Sequence, residues 1–243
     1  MSNVVIITAR GGNQSIPDKN IYQINGMESI GYPIKEALKA ELVSEVFVST
    51  ECLKISAISD KYGAKVIERP ASLSKLDTNH GDVIVHAADF VQQNHCSALN
   101  IVTILMGNMV MIKSEDIDRT IATLLKHSDA DSCMTVWKAQ DDHPYRAMKI
   151  NKEGFLESFL TDFTPDTNRQ SYPDVYYYNQ GPWTFRYKYL VKNKENKEGP
   201  GPWWWMWKRS IPIVQDWVTG RDFHGPFDLW VSELYLREKP ILD

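Results

Sequence analysis

Residues 4–8, Val4-Val5-Ile6-Ile7-Thr8, form an unbroken apolar run that passes straight into a loop rich in glycine, asparagine and proline. A strand that is apolar at every position has to be covered on both faces, which a parallel sheet flanked by helices achieves and a sheet with one wet face does not. The same hand-over recurs along the first half of the chain. Residues 27–40 read as a helix, 46–49 as a second strand, 53–62 as a helix ended by Gly63, and 64–67 as a third strand stopped near Pro70. Residues 82–93, 99–105 and 115–126 continue as helix, strand and helix. This alternation predicts an α/β fold: a Rossmann-like, mostly parallel sheet flanked by helices.

After residue 126 the rhythm changes. Strand-like pieces are expected at 132–137 and 146–150, followed by a polar stretch over 161–173, further strand character at 175–178 and 183–185, and a closing helix over 226–237 with Pro226 in its first turn. Residues 138–178 hold too few apolar side chains for a core of their own, so they are read as a protruding insertion within one domain spanning 1–243. The net charge of −4 comes without a Lys/Arg cluster, which argues against nucleic-acid and membrane-surface partners. Cys52, Cys96 and Cys133 are far apart and show no CxxC spacing, as expected of reduced thiols. Met1-Ser2-Asn3 leads directly into the first strand, without a basic segment or an apolar run long enough for a leader, so the cytoplasm is the expected compartment.

The loop that follows the first strand, residues 8–20, lies where open α/β sheets place their ligands. Gly11 and Gly12 allow backbone N–H groups to approach an anion, and Arg10 and Lys19 supply cationic donors, a combination that suits a nucleoside triphosphate. Neither the GxxxxGK[ST] nor the GxGxxG pattern is present.

Ala9, Arg10, Gly11, Gly12, Ile16, Pro17, Lys19 and Asn20 closely resemble the ARGGSKGIPxKN signature of the acylneuraminate cytidylyltransferase family. Further along, Val48-Ser49-Thr50-Glu51 is similar to the family's VSTD, and Arg69-Pro70, Leu73 and Asp77 to its RPxxLxxD. Residues 105–118 resemble LQPTSPLRxxxDID, with Asn108 in the loop. Arg169-Gln170, Pro173, Val175-Tyr176 and Asn179 resemble RQDxPxVYxxNG, and residues 220–229 resemble DIDTxxDL. The resemblance implies a homodimer formed through a small arm and a reaction in which the anomeric hydroxyl of an acidic, sialic-acid-like sugar attacks the α-phosphorus of CTP, with Mg2+ present. It further implies Ala9, Arg10, Gly11, Gly12, Asn20, Arg69 and Asn108 at the nucleotide, Gln170, Tyr178 and Asn179 at the sugar, and Arg10, Lys19 and Asp222 as the catalytic set.

The chain departs from the family pattern at informative places. Met106 replaces the Gln that would help read the base, Gly107-Asn108 replace Pro-Thr, Gln14 stands for Lys, and Gln180 stands for Gly. Asp222 suits Mg2+, whereas His224 occupies the second Asp position, and imidazole is a better ligand for transition metals. With Asp222 and His224 as the metal pair, three outcomes stay open: one carboxylate suffices with the triphosphate, His224 touches phosphate or sugar, or catalysis is lost. Asp228 is read as a first-turn helix residue, and no residue stands out as general base. The run Trp203-Trp204-Trp205-Met206-Trp207 has no counterpart in the family and reads as core or interface packing rather than a lid. Two rival functions remain: a nucleotidyltransferase for another base or sugar, and a nucleotide-binding module without catalysis.

Overall fold

The computed structural model describes residues 2–12, 16–162, 166–198, 203–206 and 208–238. A seven-stranded sheet is built from β1 (Ser2–Thr8), β4 (Glu45–Thr50), β5 (Lys65–Glu68), β6 (Leu99–Met106), β7 (Ser132–Lys138), β10 (Tyr176–Arg186) and β11 (Ser210–Val214). Their order is β11-β7-β10-β6-β1-β4-β5, and every pairing is parallel except those of β10, which runs antiparallel to β6 and β7. β1 sits between β4 and β6, and Val4, Val5, Ile6 and Ile7 are wholly buried, as a strand apolar at every position demands.

Because successive side chains point to opposite faces, β1 feeds two cores. Val5 and Ile7 pack on one face with residues of α1 (Gly31–Lys39), α2 (Leu53–Lys61) and α4 (Ser114–Lys126). Val4 and Ile6 pack on the other with α3 (His80–Asn94), α5 (Tyr187–Asn193) and the buried Trp204 and Trp205. The tryptophan run is therefore core material at 204–206, while Trp207 lies outside the described residues, as does Gln14. A third cluster joins Ile16, Ile24, Val110, Met111, Phe223 and Leu229. It ties the loop after β1 to the loop after β6 and to α6 (Pro226–Arg237), converging three segments on one end of the sheet.

Several elements differ from the expectation. The helix expected from residue 27 begins at Gly31, because Met27–Glu28 (β3) pairs with Gln23–Ile24 (β2) around Asn25-Gly26. Both turn residues have positive φ, 47° and 79°, the conformation for which an Asn-Gly pair is suited. The two strand pieces expected at 175–178 and 183–185 are one strand, β10, with a register break between Tyr178 and Trp183. The piece expected at 146–150 is a 3-10 turn over Pro144–Arg146 followed by β8 (Met148–Ile150), which pairs with β9 (Leu156–Ser158). α5 and the edge strand β11 are additions to the expected set. No helix among the described residues is long and apolar enough to cross a membrane.

Candidate active site

β1 and β6 are adjacent and parallel, so their C-terminal ends, Thr8 and Met106, lie side by side in register. The loops that leave them line a cavity of about 310 Å3 together with Arg69 and the 73–83 segment. Its wall is chemically divided. Arg10, Lys19, Asp222 and His224 supply charged and titratable groups, whereas Leu73, Leu76, Val83 and Met106 supply apolar surface. An amphiphilic ligand with an anionic end and a flat, less polar end fits such a division.

Asn20 is buried and donates from Nδ2 to the Arg10 carbonyl at 2.8 Å, which closes the loop on itself and presents the side chains of Arg10 and Lys19 from one turn. Burial lowers the Lys19 pKa and Arg10 adds to the effect, while the negative charge of Asp222 opposes it. Asp222 is itself buried. Its Oδ2 accepts from Asn108 Nδ2 at 3.0 Å, and its Oδ1 lies 3.2 Å from His224 Nδ1. Hydrogen bonding to Asp222 raises the His224 pKa, although that side chain is largely exposed. Among the described residues lining the cavity, Asp222 is the one carboxylate.

Two residues expected at the nucleotide have their polar groups engaged elsewhere. Arg69 lines the cavity, yet its guanidinium donates to the Ser49 hydroxyl and carbonyl, at 3.2 and 2.6 Å, and so braces the end of β4. Gly11 donates its N–H to Glu51 Oε1 at 2.8 Å, and Gly11 and Gly12 stand outside the cavity wall.

A second cavity of about 240 Å3 shares Gln180, Asp222 and His224 with the first and is otherwise lined by Trp137, Tyr177, Tyr178, Asn179, Gly220 and Arg221. Asn179 donates to Gln215 Oε1 at 3.1 Å, while its buried Oδ1 has no partner among the described residues. The ring of Tyr178 packs against Trp203. The two cavities therefore meet at Asp222, one charged and partly apolar, the other aromatic and amide-lined.

The sequence profile of a family described as cytidylyltransferase matches residues 4–188, more than half of the chain. The chain belongs to the cytidylyltransferase family. Flagellin modification protein B of Campylobacter coli is 24% identical to this cytidylyltransferase over 238 residues, covering 96% of this chain and 94% of that one. The CMP-N,N'-diacetyllegionaminic acid synthase of Campylobacter jejuni is 27% identical over 234 residues, again covering 96% and 94%. A pseudaminic acid cytidylyltransferase of the same species is 42% identical over 96 residues, covering 39% of this chain and 41% of its own. The fold matches that of a CMP:2-keto-3-deoxy-manno-octonic acid synthetase complexed with CTP, with a TM-score of 0.72, 15% identity and coverage of 99% and 100%. The family placing drawn from residues 9–20 stands, and this chain is an enzyme of the cytidylyltransferase family.

Of the sugar-side set in this cytidylyltransferase, the structure brings Tyr178 and Asn179 together in the second cavity but not Gln170. Gln170 lines a separate recess with His143, Arg169, Tyr172 and Asp174, because the 169–171 turn packs against the 138–143 segment. Within one chain, therefore, Gln170 stands apart from the other two residues that the resemblance assigns to the sugar. Asp228 sits in the first turn of α6, where Oδ2 accepts from the N–H groups of His224 and Gly225 at 3.0 and 3.1 Å, in keeping with the first-turn reading. The wall residues not picked out from the sequence include Lys75, Thr78, and the pair Thr8 and His80, whose Oγ1 and Nε2 lie 3.0 Å apart. Asn79, whose Oδ1 accepts from the Gly81 N–H at 2.9 Å, is the helix-start signal that could have placed His80 in a first turn.

Proposed function

We propose that this cytidylyltransferase transfers CMP from CTP to the anomeric hydroxyl of an acidic, nonulosonate-type sugar and releases pyrophosphate. The observation that carries this reading is the meeting of the two cavities at Asp222. Arg10 and Lys19 neutralise the triphosphate in the first cavity, Tyr178, Asn179 and Gln180 receive the sugar in the second, and the α-phosphorus comes to the junction. Positioning and charge neutralisation then account for most of the catalysis, as in other transfers at phosphorus. The relatives named for legionaminic and pseudaminic acids support the class of sugar.

Mg2+ is part of the proposal. Among the described residues no cluster of three metal-ligating side chains exists, and the cavity offers one buried carboxylate. That donor set fits Mg2+, which usually takes one or two carboxylates and leaves the remaining positions to phosphates and water. Asp222 would hold the ion, steadied by Asn108, with His224 alongside. When bound, the ion neutralises charge on the transferring phosphoryl group.

We also propose a cytoplasmic homodimer. Cys52, Cys96 and Cys133 are all unpaired, as in a reducing compartment. The β8–β9 hairpin exposes Met148, Ile150, Phe155, Leu156 and Phe159, and pairs Ile150 with Leu156, while Lys149 and Glu157 form an ion pair on its opposite face. Exposed apolar side chains on both faces of this hairpin, Met148, Ile150 and Leu156 on one and Phe155 and Phe159 beside the ion pair on the other, suit contact with a second copy. Light scattering that finds only monomer would refute this part.

The activity is tested by pyrophosphate release across CTP, UTP, ATP and GTP, each offered with sialic, legionaminic, pseudaminic and octulosonic acids and with a sugar 1-phosphate. Release with CTP and a nonulosonate is expected. Release only with a sugar 1-phosphate, or with none of these acids, would overturn the reading.

A further inference from the structure

Asn179 follows Tyr178 at the register break of β10, so no regular pairing with β7 dictates its geometry. Other contacts hold it. The Trp183 indole donates from Nε1 to the Asn179 carbonyl at 2.8 Å. The Asn179 side chain fills the space that Gly220 leaves, and donates from Nδ2 to Gln215 Oε1 at 3.1 Å. Asn179 is only 2% exposed, yet its Oδ1 has no partner among the described residues. A buried amide that leaves its acceptor unpaired is not at its own hydrogen-bonding optimum, so its surroundings must keep it as it stands.

Gln215, directly after β11, supplies that restraint. Its backbone N–H donates to the Val136 carbonyl of β7 at 2.8 Å. Its Nε2 lies 2.7 Å from Asp116 Oδ2, in the first turn of α4, and 2.7 Å from Thr219 Oγ1. Thr219 Oγ1 donates to Asp216 Oδ2 at 3.0 Å and so accepts from Gln215. Burial raises the Asp116 pKa, while Arg119, with Nη2 4.0 Å from Oδ1, and Lys113 oppose the rise. As a carboxylate, Asp116 only accepts. Two acceptors at one end of the Gln215 amide identify that end as the NH2 group and leave its oxygen for Asn179. The Asn179 amide is thereby oriented in its turn, with Nδ2 toward Gln215. Asp116 and Gln215 line neither cavity, whereas Asn179 lines the second.

We propose that Gln215, anchored by Asp116 and Thr219, is a positioning residue for the sugar, holding the Asn179 amide in one orientation and so keeping its remaining hydrogen-bonding capacity for the substrate. This rests on the reading that the second cavity receives the sugar. Without Gln215 the amide is free to turn and to pair its oxygen elsewhere. Only a fraction of molecules would then present the competent orientation, and the apparent affinity for the sugar falls by that fraction. The first cavity does not include Asn179, so the affinity for CTP is outside the reach of this relay.

The test measures initial rates of pyrophosphate release in the wild type, Gln215→Leu, Gln215→Glu and the double variant Gln215→Glu with Asp116→Asn, with thermal unfolding run on each. Sialic, legionaminic, pseudaminic or octulosonic acid is varied at saturating CTP, and CTP is then varied at saturating acid. Gln215→Leu should raise the KM for the acid by about tenfold and leave that for CTP within about threefold. Gln215→Glu still offers Asn179 an acceptor but sets a carboxylate against Asp116, so a similar rise is expected. The double variant exchanges the amide and carboxylate ends of that contact and again lets a donor face an acceptor. It should return the KM for the acid to within about threefold of the wild type. A purely structural role would lower the unfolding temperature and leave the two KM values in their wild-type ratio. That ratio unchanged in a folded Gln215→Leu variant overturns this inference alone. If Gln215→Leu does not fold, equal KM values for the acid in Gln215→Glu and the double variant overturn it. A wild type that releases pyrophosphate with none of the acids removes the underlying reading of the second cavity, and this inference with it.

Discussion

Asn108 Nδ2 lies 3.0 Å from Asp222 Oδ2 and 2.8 Å from the Phe223 carbonyl, so one buried amide fastens the loop after β6 to the segment that leads into α6. These residues are 114 positions apart, and no local propensity could bring them together. Replacing Asn108 with Leu removes both donors and leaves a buried carboxylate oxygen without its partner. The expected stability loss is about 1–3 kcal/mol. Turnover should fall by roughly a hundredfold, because Asp222 is no longer held in place. Denaturant unfolding and pyrophosphate release measure the two effects, and a variant with full turnover would show that Asn108 does not position Asp222.

His224 Nδ1 sits 3.2 Å from Asp222 Oδ1. Substituting Asp for His224 sets a second carboxylate at that place. Without a divalent ion the two negative charges should repel and lower the melting temperature, whereas Mg2+ should raise it by more than in the wild type. Mg2+ affinity in the presence of CTP should rise by about tenfold, since the charge count of the site grows. Melting curves in chelator and in Mg2+, with calorimetric titration, provide the check. Equal Mg2+ responses in both proteins would place the ion away from Asp222.

Glu28 joins the start of α1 to the end of α2. Its carboxylate accepts from the Tyr62 hydroxyl and from Lys61 Nζ, the latter at 3.1 Å. The tyrosine hydrogen bond is the main reason that its pKa falls from the usual 4.5 to about 2, with its own backbone N–H and Lys61 assisting. The folded state thus binds the proton less readily than the unfolded chain. The stabilisation is present above about pH 4.5 and is lost as the pH falls toward 2. Glu28→Gln should flatten the stability profile between about pH 5 and about pH 3, as measured by urea unfolding, and an unaltered acid slope would show that the network contributes nothing.

How far the sequence reveals this molecule depends on how local the cause of each feature is. β1, β4 and β6 were legible because strands covered on both faces are written as continuous apolar runs, and α2 because Gly63, with φ of 91°, ends it visibly. The β2–β3 turn was also written there, as Asn25-Gly26 between Ile24 and Met27, but a helical reading of the following residues masked it. β11 was obscured by Pro212, which is tolerated only because this strand lies on the sheet edge, and edge position is a tertiary fact. At the site, Arg10, Lys19, Asn108 and Asp222 were legible through motif spacing. His80 was not, since a histidine in a helical first turn carries no signature; its place beside Thr8 arises only when α3 packs on β1. Gln170 shares a motif with Asn179 yet lines a different recess, and that separation is set by tertiary packing of the 169–171 turn, which the motif does not encode.

Gly220 offers the most selective probe of the second cavity. A Cβ there would lie 2.1 Å from Asn179 Cγ, far inside any permitted contact. The backbone cannot yield easily, because the Gly220 carbonyl accepts from the Gln180 N–H at 2.9 Å. Nor can Asn179 move without loss, as it is buried and tied to Gln215. Gly220→Ala should therefore cost about 1–3 kcal/mol through overpacking. The apparent KM for the sugar should rise by about tenfold, while that for CTP stays within about threefold, since the first cavity shares Gln180 with the second but not Asn179. Combining it with Asn179→Gly removes the clash, Cβ included, so the double variant should lose less stability than the sum of the two single variants, a sign of direct coupling. Initial-rate kinetics with each substrate varied in turn decide the matter: equal effects on both KM values would mean that the second cavity does not receive the sugar.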